Sequence, residues 1–324
     1  MFDDNHERIT PAQKLEQGKG KSLAWLGFVL SIGSGFCMAC MSLFVKLAAS
    51  LPFYEMLLAR SVGILIFCPP VMIYYLQDFV PSNKNDFFVV TSRGILGCAA
   101  VGGLYFSIRH IPLADATAIL FTSPVWTSIF GFIILRERWS VYDSFGTILC
   151  VVGVTLITQP TFIFHLGKKS VERHSEWIAY TVSFLSSISI SLSFICVRKA
   201  KQAGPFTLVF YFGVMGILLG TFVGLAAGEG FQLPQCGTLD ILYTLMSAVF
   251  SFFGQVCLVF ALKLEKVSVV ALGKTTDIFF VFIFEIVFIR SAVNWLCVIG
   301  GLLVMCSNVT VLVKKLFDGD TASA

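Results

Sequence analysis

YFSIRHIPLADATAILFTSPVWTSIFGFIILRERWSVYDSFGTILCVVG, residues 105–153, shares its plan with residues 259–307, 154 positions later. Each copy opens on a short basic turn (Arg109 in the first, Lys263 and Lys266 in the second) and enters a long apolar run interrupted by a few polar residues. Each then reaches an arginine (Arg136, Arg290) and a second apolar run with a glycine ten residues on (Gly146, Gly300). Only seven of the 49 aligned positions are identical, among them Thr122/Thr276 and Phe130/Phe284. The match therefore lies in the layout of spans and loops.

Composition sets the solvent. Hydrophobic residues make up 56% of the 324, charged residues 13%, and mean hydropathy is +0.85. A water-soluble chain carries roughly twice that charge fraction. The apolar residues fall in runs of about 20, enough for a helix to cross a bilayer. They do not fall in the short alternating segments of a membrane barrel. The net charge of +4 resides mostly in short loops, where insertion places it, and calls for no nucleic-acid partner. Of ten cysteines, only Cys236 lies clearly in a loop, which argues against a disulfide framework. Cys37 and Cys40 form a C-x-x-C inside the first span and read as packing residues. No G-x-S-x-G, H-E-x-x-H or Walker loop is present, so the chain is expected to be no enzyme, with no cofactor, no metal and no ATP drive.

These features predict an all-α polytopic membrane protein with ten transmembrane helices as two inverted five-helix repeats. The expected spans are 24–45, 55–76, 87–108, 111–135, 141–160, 177–197, 206–228, 239–261, 267–289 and 293–313. The organisation is a cytoplasmic tail (1–23), a first repeat (24–160), a connecting loop (161–176), a second repeat (177–313) and a cytoplasmic tail (314–324). Five is odd, so the second half enters from the opposite side, an arrangement typical of secondary transporters. With both termini in the cytoplasm, inside segments hold 14 Lys and Arg and outside segments six. That bias satisfies the positive-inside rule. The membrane of residence is expected to be the plasma membrane or an endomembrane. Pro69-Pro70 should kink or break the second span. The ladder Gly216, Gly220, Gly224, Gly228 reads first as close packing within the chain, and second as a seam for a homodimer or helix partner.

Ionisable side chains inside spans are functional candidates by default. Counting about 1.5 Å per residue, Lys274 lies about 10 Å and Asp277 about 15 Å into the ninth span. Three apart, they share a face of a continuous helix. They read either as an ion pair that fixes packing or as the lining of a wet cavity. They align with Leu120 and Ser123, where Pro124 follows and frees a carbonyl, so both repeats break polarity rules at the same depth. Arg60 in the second span reads as snorkelling or pairing with Glu55. Arg93 and Glu285 read as snorkelling or loop-proximal. Tyr105, Trp126, Tyr211 and Gln255 either line a cavity or pack. The predicted substrate-binding set is Lys274, Asp277, Arg60, Ser123, Thr276, Tyr105 and Gln255.

Ile108, Ile111, Ala114, Ala116, Pro124, Leu135, Glu137 and Arg138 resemble the fourth-helix pattern of the drug/metabolite transporter superfamily, specifically its EamA-type repeat. The second half departs from it, with Ser291-Ala292 in place of Glu-Arg and Ile278 in place of proline. There, Thr275-Thr276-Asp277 before a Phe-rich run resembles the T-S-D stretch of solute-carrier family 35, subfamily G. The resemblance implies ATP-independent alternating access with a small metabolite held between the repeats. For this subfamily it implies an organic anion, including a carboxylate such as citrate. Two other readings remain open. One is a non-transporting membrane regulator of channels or calcium signalling that docks through the glycine ladder. The other is an acyltransferase built on His110-x4-Asp115.

Overall fold

The computed structural model describes residues 21–48, 52–81, 83–111, 113–137, 141–159, 173–200, 202–227, 237–284, 287–288 and 295–321. Most of the predicted N-terminal tail and connecting loop, with Cys236, Glu285 and Arg290, lies outside them. Every regular element among the described residues is helical. The first repeat holds α1 (Lys21–Leu47), α2 (Phe53–Tyr74), α3 (Lys84–His110), α4 (Leu113–Leu120), α5 (Ser123–Leu135) and α6 (Val141–Thr158). The second holds α7 (Arg173–Lys199), α8 (Pro205–Ala227), α9 (Thr238–Leu264), α10 (Val267–Lys274), α11 (Thr276–Phe284) and α12 (Trp295–Thr321). Described helices overlap each of the expected spans. Seven segments are long and apolar enough to cross a bilayer, Asp115–Leu135 among them, and Val141–Ile157 and Val298–Thr310 are shorter apolar helices. Neither α10 nor α11 alone reaches the length of a crossing.

Helix ends differ from the expected ones. α7 begins at Arg173, inside the predicted connecting loop, and α12 continues to Thr321, into the predicted tail. Hydrophobicity marks the hydrocarbon, and backbone hydrogen bonds carry a helix beyond it. α2 is not broken at Pro69-Pro70 and runs on to Tyr74. Proline's fixed φ suits a helix, and the helix continues although the carbonyls of Leu65 and Ile66 lose their ladder donors.

The two repeats pack as partners in exchange. α1 lies along α9 and α7 lies along α3, which are equivalent pairs. α2 packs on α8 and α6 on α12, each helix against its own counterpart. Gly153 and Gly300 make the last crossing close. A β-carbon on Gly153 would sit 2.7 Å from the Gly300 carbonyl oxygen. Gly216 and Gly220 of the ladder face α2 of the same chain, and Gly228 lies outside the described residues. A β-carbon on Gly220 would meet Leu58 at 2.9 Å, and one on Gly216 would meet the Ser61 hydroxyl. Outward faces carry large apolar side chains: Leu218, Phe222 and Leu225 of α8 are 60%, 70% and 72% exposed. Water does not tolerate so wide an apolar surface, whereas lipid does.

Among the described residues the exchange differs between the two ends. α5 packs on α10, and α10 also touches α6 and α7. The counterpart contacts, of α4 with α11, α12 and α1, do not form packed faces among the described residues. The repeats are thus sealed together where α5 ends and α10 begins.

Candidate functional site

Both repeats interrupt the same helix at the same place. In the first, α4 stops at Leu120 and α5 starts at Ser123; in the second, α10 stops at Lys274 and α11 starts at Thr276. Thr122 and Thr276, identical and aligned, do the same thing: Thr122 Oγ1 donates to the Ile119 carbonyl at 2.7 Å and Thr276 Oγ1 to the Gly273 carbonyl at 2.8 Å. Thr275 adds a 2.6 Å bond to the Leu272 carbonyl and accepts from Cys150 Sγ at 3.3 Å. A hydroxyl that bonds a carbonyl of the preceding turn competes with the helix ladder. Proline assists the first break, while the second has none and relies on two consecutive threonines after a glycine.

Each break is seated on a stripe of small residues from the partner side of its own pseudo-symmetric pair. On α7, Ser183 donates to the Ala116 carbonyl (2.9 Å), Ser187 shares a bond with Thr122 (2.9 Å), and Ser191 donates to the Ser123 carbonyl (3.0 Å). On α1 the corresponding stripe is Gly27, Ser31, Gly35. Gly35 lies so close to the second break that a β-carbon there would be 2.7 Å from Thr276 Oγ1 and 3.0 Å from the Asp277 nitrogen. The serines at every fourth position of α7 are polar residues that the sequence reading passed over. Their spacing alone marks one face of a helix that must meet something polar.

Lys274 and Asp277 meet, but not as two positions on one continuous helix face. The chain breaks at Thr275 between them. Lys274 Nζ stands 3.1 Å from Asp277 Oδ2, with the side chains 17% and 12% exposed. Lys274 ends α10 and Asp277 lies in the first turn of α11, so each charge sits at the helix end whose dipole favours it. Asp277 Oδ1 is buried and has no hydrogen-bond partner among the described residues.

A second polar cluster lies where α2, α3, α8 and α9 converge. Arg93 is 2% exposed, which corrects the snorkelling reading. Its Nη2 donates to Gln255 Oε1 at 2.8 Å, and its guanidinium lies 4.5 Å from the centre of the Phe212 ring. Arg60, 6% exposed and likewise buried, lies 5.0 Å from the same ring. Depth counted along a helix gives distance from its end and not the face, so a buried arginine and a snorkelling one look alike in sequence. The two clusters are joined through α1. Ser34 Oγ donates to the Gly254 carbonyl at 2.8 Å, beside Gln255, while Gly35 touches the break beside Asp277.

Of the predicted set, Lys274, Asp277 and Thr276 come together, and Arg60 and Gln255 join through Phe212 and Arg93. Ser123 lies at the first break. Tyr105 is on α3, and its side chain lies outside the described residues. Trp126 and Tyr211 pack, edge-on to Phe184 and Phe87 respectively. His110 and Asp115 do not form a catalytic pair: exposed His110 Nδ1 is 2.9 Å from the Phe106 carbonyl, and Asp115 Oδ2 accepts from Tyr180 at 2.8 Å.

The sealed end has its own network. Glu137 Oε2 accepts from the Val267 N–H at 3.1 Å, capping α10 from 130 residues away, and Oε1 is 3.4 Å from Arg198 Nε. Arg198 Nη1 donates to the Leu262 and Lys263 carbonyls at 3.2 and 2.6 Å, while Lys263 Nζ donates to the Ala200 and Ala203 carbonyls at 3.0 and 2.5 Å. Basic residues from both helix ends thus satisfy carbonyls left open at the other. Burial holds the Glu137 carboxyl above the ordinary carboxylate range, against the opposing pull of Arg198, the Val267 N–H and Lys266.

The two repeats with their shared break are those of a known family: the chain belongs to the EamA-like transporter family, which matches residues 25–159 and 177–313. Among individual proteins, it is 32% identical over 296 residues to human solute carrier family 35 member G1, covering 90% of this chain and 80% of that one. It is 25% identical over 285 residues to the pseudopaline exporter CntI of Pseudomonas aeruginosa, covering 86% and 93%. A solved crystal structure with 11% sequence identity superposes with a TM-score of 0.76 over 91% of this chain and 97% of its own, which shows the shared fold. This family and these relatives are transporters, not enzymes.

Proposed function

We propose that the chain moves a small organic anion, a carboxylate such as citrate, across the membrane by alternating access without ATP. The carrying observation is that both repeats interrupt the same helix, the second beside a buried Lys274–Asp277 pair, and that the α5–α10 contact between repeats has no packed α4–α11 counterpart among the described residues. Interrupted helices at the interface of inverted repeats are where such proteins place substrate. A bundle closed at one end is one half of an alternating cycle, and rocking the repeats would open the α5–α10 end and close the other. In this reading the chain makes ten crossings and both termini lie in the cytoplasm, in the plasma membrane or an endomembrane. Substrate contacts come from Lys274, Asp277, Thr276, Ser123, Arg60, Gln255 and Tyr105.

The test is counterflow in proteoliposomes preloaded with citrate, succinate, an amino acid or a nucleotide sugar, at two pH values. The expected result is uptake of a carboxylate by the wild type, lost in Lys274→Ala and Asp277→Ala at unchanged protein incorporation. Wild-type uptake by both variants refutes the site, and no uptake of any anion refutes the substrate class.

A further inference from the structure

We infer that Arg93 is the anion anchor of this protein, in a subsite distinct from the Lys274–Asp277 pair and built by Gln255, Phe212 and Arg60. The inference rests on the transporter reading and names the group that recognises the substrate's charge. At the break, Lys274 and Asp277 offset each other, one charge against one at 3.1 Å. Arg93 has no such offset. It makes no ion pair among the described residues. Its Nε and Nη1 are buried with no hydrogen-bond partner among those residues. A guanidinium 2% exposed therefore keeps two nitrogens open in a low-dielectric interior.

A neutral amide and the face of Phe212 orient that charge without neutralising it. The second guanidinium, Arg60, lies 5.0 Å from the centre of the same ring. What fits is an oxyanion: planar, delocalised and able to accept from the guanidinium fork, hence a carboxylate or phosphate group. The location suits a carried ligand. Arg93 belongs to the first repeat and Gln255 to the second, so the Arg93–Gln255 bond crosses the interface that rocking would rearrange. Ser34 and Gly35 of α1 touch the chain beside each cluster at adjacent positions, so one helix contacts both.

The experiment is thermal unfolding of purified full-length protein with citrate, succinate, acetate or inorganic phosphate at constant ionic strength. It compares the wild type with Arg93→Gln, Arg93→Lys and Gln255→Glu. General salt stabilisation is shared by all four proteins, so the readout is the anion response beyond that of Arg93→Gln. At least one oxyanion is expected to raise the wild-type midpoint saturably. Arg93→Lys keeps the charge but loses the fork, and its apparent affinity falls about tenfold or more, the effect of one hydrogen bond to a charged group. Gln255→Glu gives Arg93 an internal carboxylate, so its anion-free midpoint rises and its anion response disappears. That variant carries the test where Arg93→Gln does not fold.

The inference is overturned if no anion shifts the wild type beyond Arg93→Gln, or if Gln255→Glu responds as the wild type does. Counterflow separates this outcome from the broader reading. Transport of some solute without any Arg93-dependent response rejects the subsite alone, and an Arg93-dependent response without transport rejects transport alone.

Discussion

Lys274 and Asp277 allow a structural pair to be told from a functional one. Their contact is 3.1 Å and both side chains are largely buried. Removing one member leaves the other charge without its partner in a poorly polarisable interior, a loss of about 3–5 kcal/mol for a buried pair. The helix ends offset part of it, since Asp277 retains the α11 N-terminus and Lys274 the α10 C-terminus, each worth about 0.3–1 kcal/mol. The expected cost is therefore about 2–4 kcal/mol for Lys274→Met and for Asp277→Leu alone. Replacing both removes two buried charges at once and brings stability back to within about 1–2 kcal/mol of the wild type. The coupling energy of the cycle should exceed about 1 kcal/mol, as for contacting residues in one network. Reversible unfolding in mixed micelles measures stability, and counterflow measures transport on the same four proteins. The functional reading expects the double variant to be stable again and still inactive. A double variant that regains both stability and transport refutes it. Single variants costing under about 1 kcal/mol would instead show a solvated pair, as at a surface, and would refute the burial on which the magnitude rests.

Two further predictions follow from neighbouring geometry. Gly35→Ala places a β-carbon 2.7 Å from Thr276 Oγ1 and 3.0 Å from the Asp277 nitrogen, so it should cost about 1–3 kcal/mol and slow transport. Gly33→Ala, which meets nothing within 4 Å, should be neutral or gain about 0.5–1 kcal/mol; equal thermal midpoints for the two alanine variants would contradict the seating of α1 on the break. Glu137 titrates above its unfolded value, so between the two values the folded chain binds more protons and stability falls as pH rises through that window. Glu137→Gln keeps an acceptor for the Val267 N–H and should flatten that slope in thermal unfolding across the window; an unchanged slope would assign it to another group.

How much of this was readable in the residues depended on whether the cause was local. Long apolar runs and short basic loops announce membrane helices because the bilayer acts on each span separately. Pro124 announces the first break for the same reason: its missing N–H is a property of one residue. The second break has no comparable mark. It depends on Thr275 and Thr276 turning their hydroxyls onto carbonyls three residues back, a choice open to any threonine and settled by the close approach of α1. Pro69-Pro70 shows the converse, a strong local mark without a break, since α2 runs on through the prolines to Tyr74. Arg93 and Glu137 were the hardest to place. Their roles are set by Gln255 and Val267, 162 and 130 residues away, and no window along the chain contains both partners.

The pattern of what repeats and what does not carries a functional argument. Thr122 and Thr276 are identical, aligned and make the same bond. The small-residue stripes of α7 and α1 take corresponding places against the two breaks. These are parts a rocking mechanism needs twice, because each repeat must adopt the conformation that the other leaves. The charges do not repeat: Lys274 aligns with Leu120 and Asp277 with Ser123. A ligand bound between the repeats need not be symmetric, and its recognition gains nothing from duplication. A second Lys–Asp pair at the first break would add two buried charges without adding a new contact to an asymmetric ligand. The hinge-like elements at the two breaks therefore stay matched while their ionisable groups differ, with hydroxyls and backbone carbonyls at the first break and a cation and an anion at the second. Moving the pair by Leu120→Lys and Ser123→Asp in a Lys274→Leu, Asp277→Ser background would test whether the two breaks are mechanically equivalent. Partial transport would support equivalence. A folded but inactive protein would show that the second break also supplies geometry the first does not.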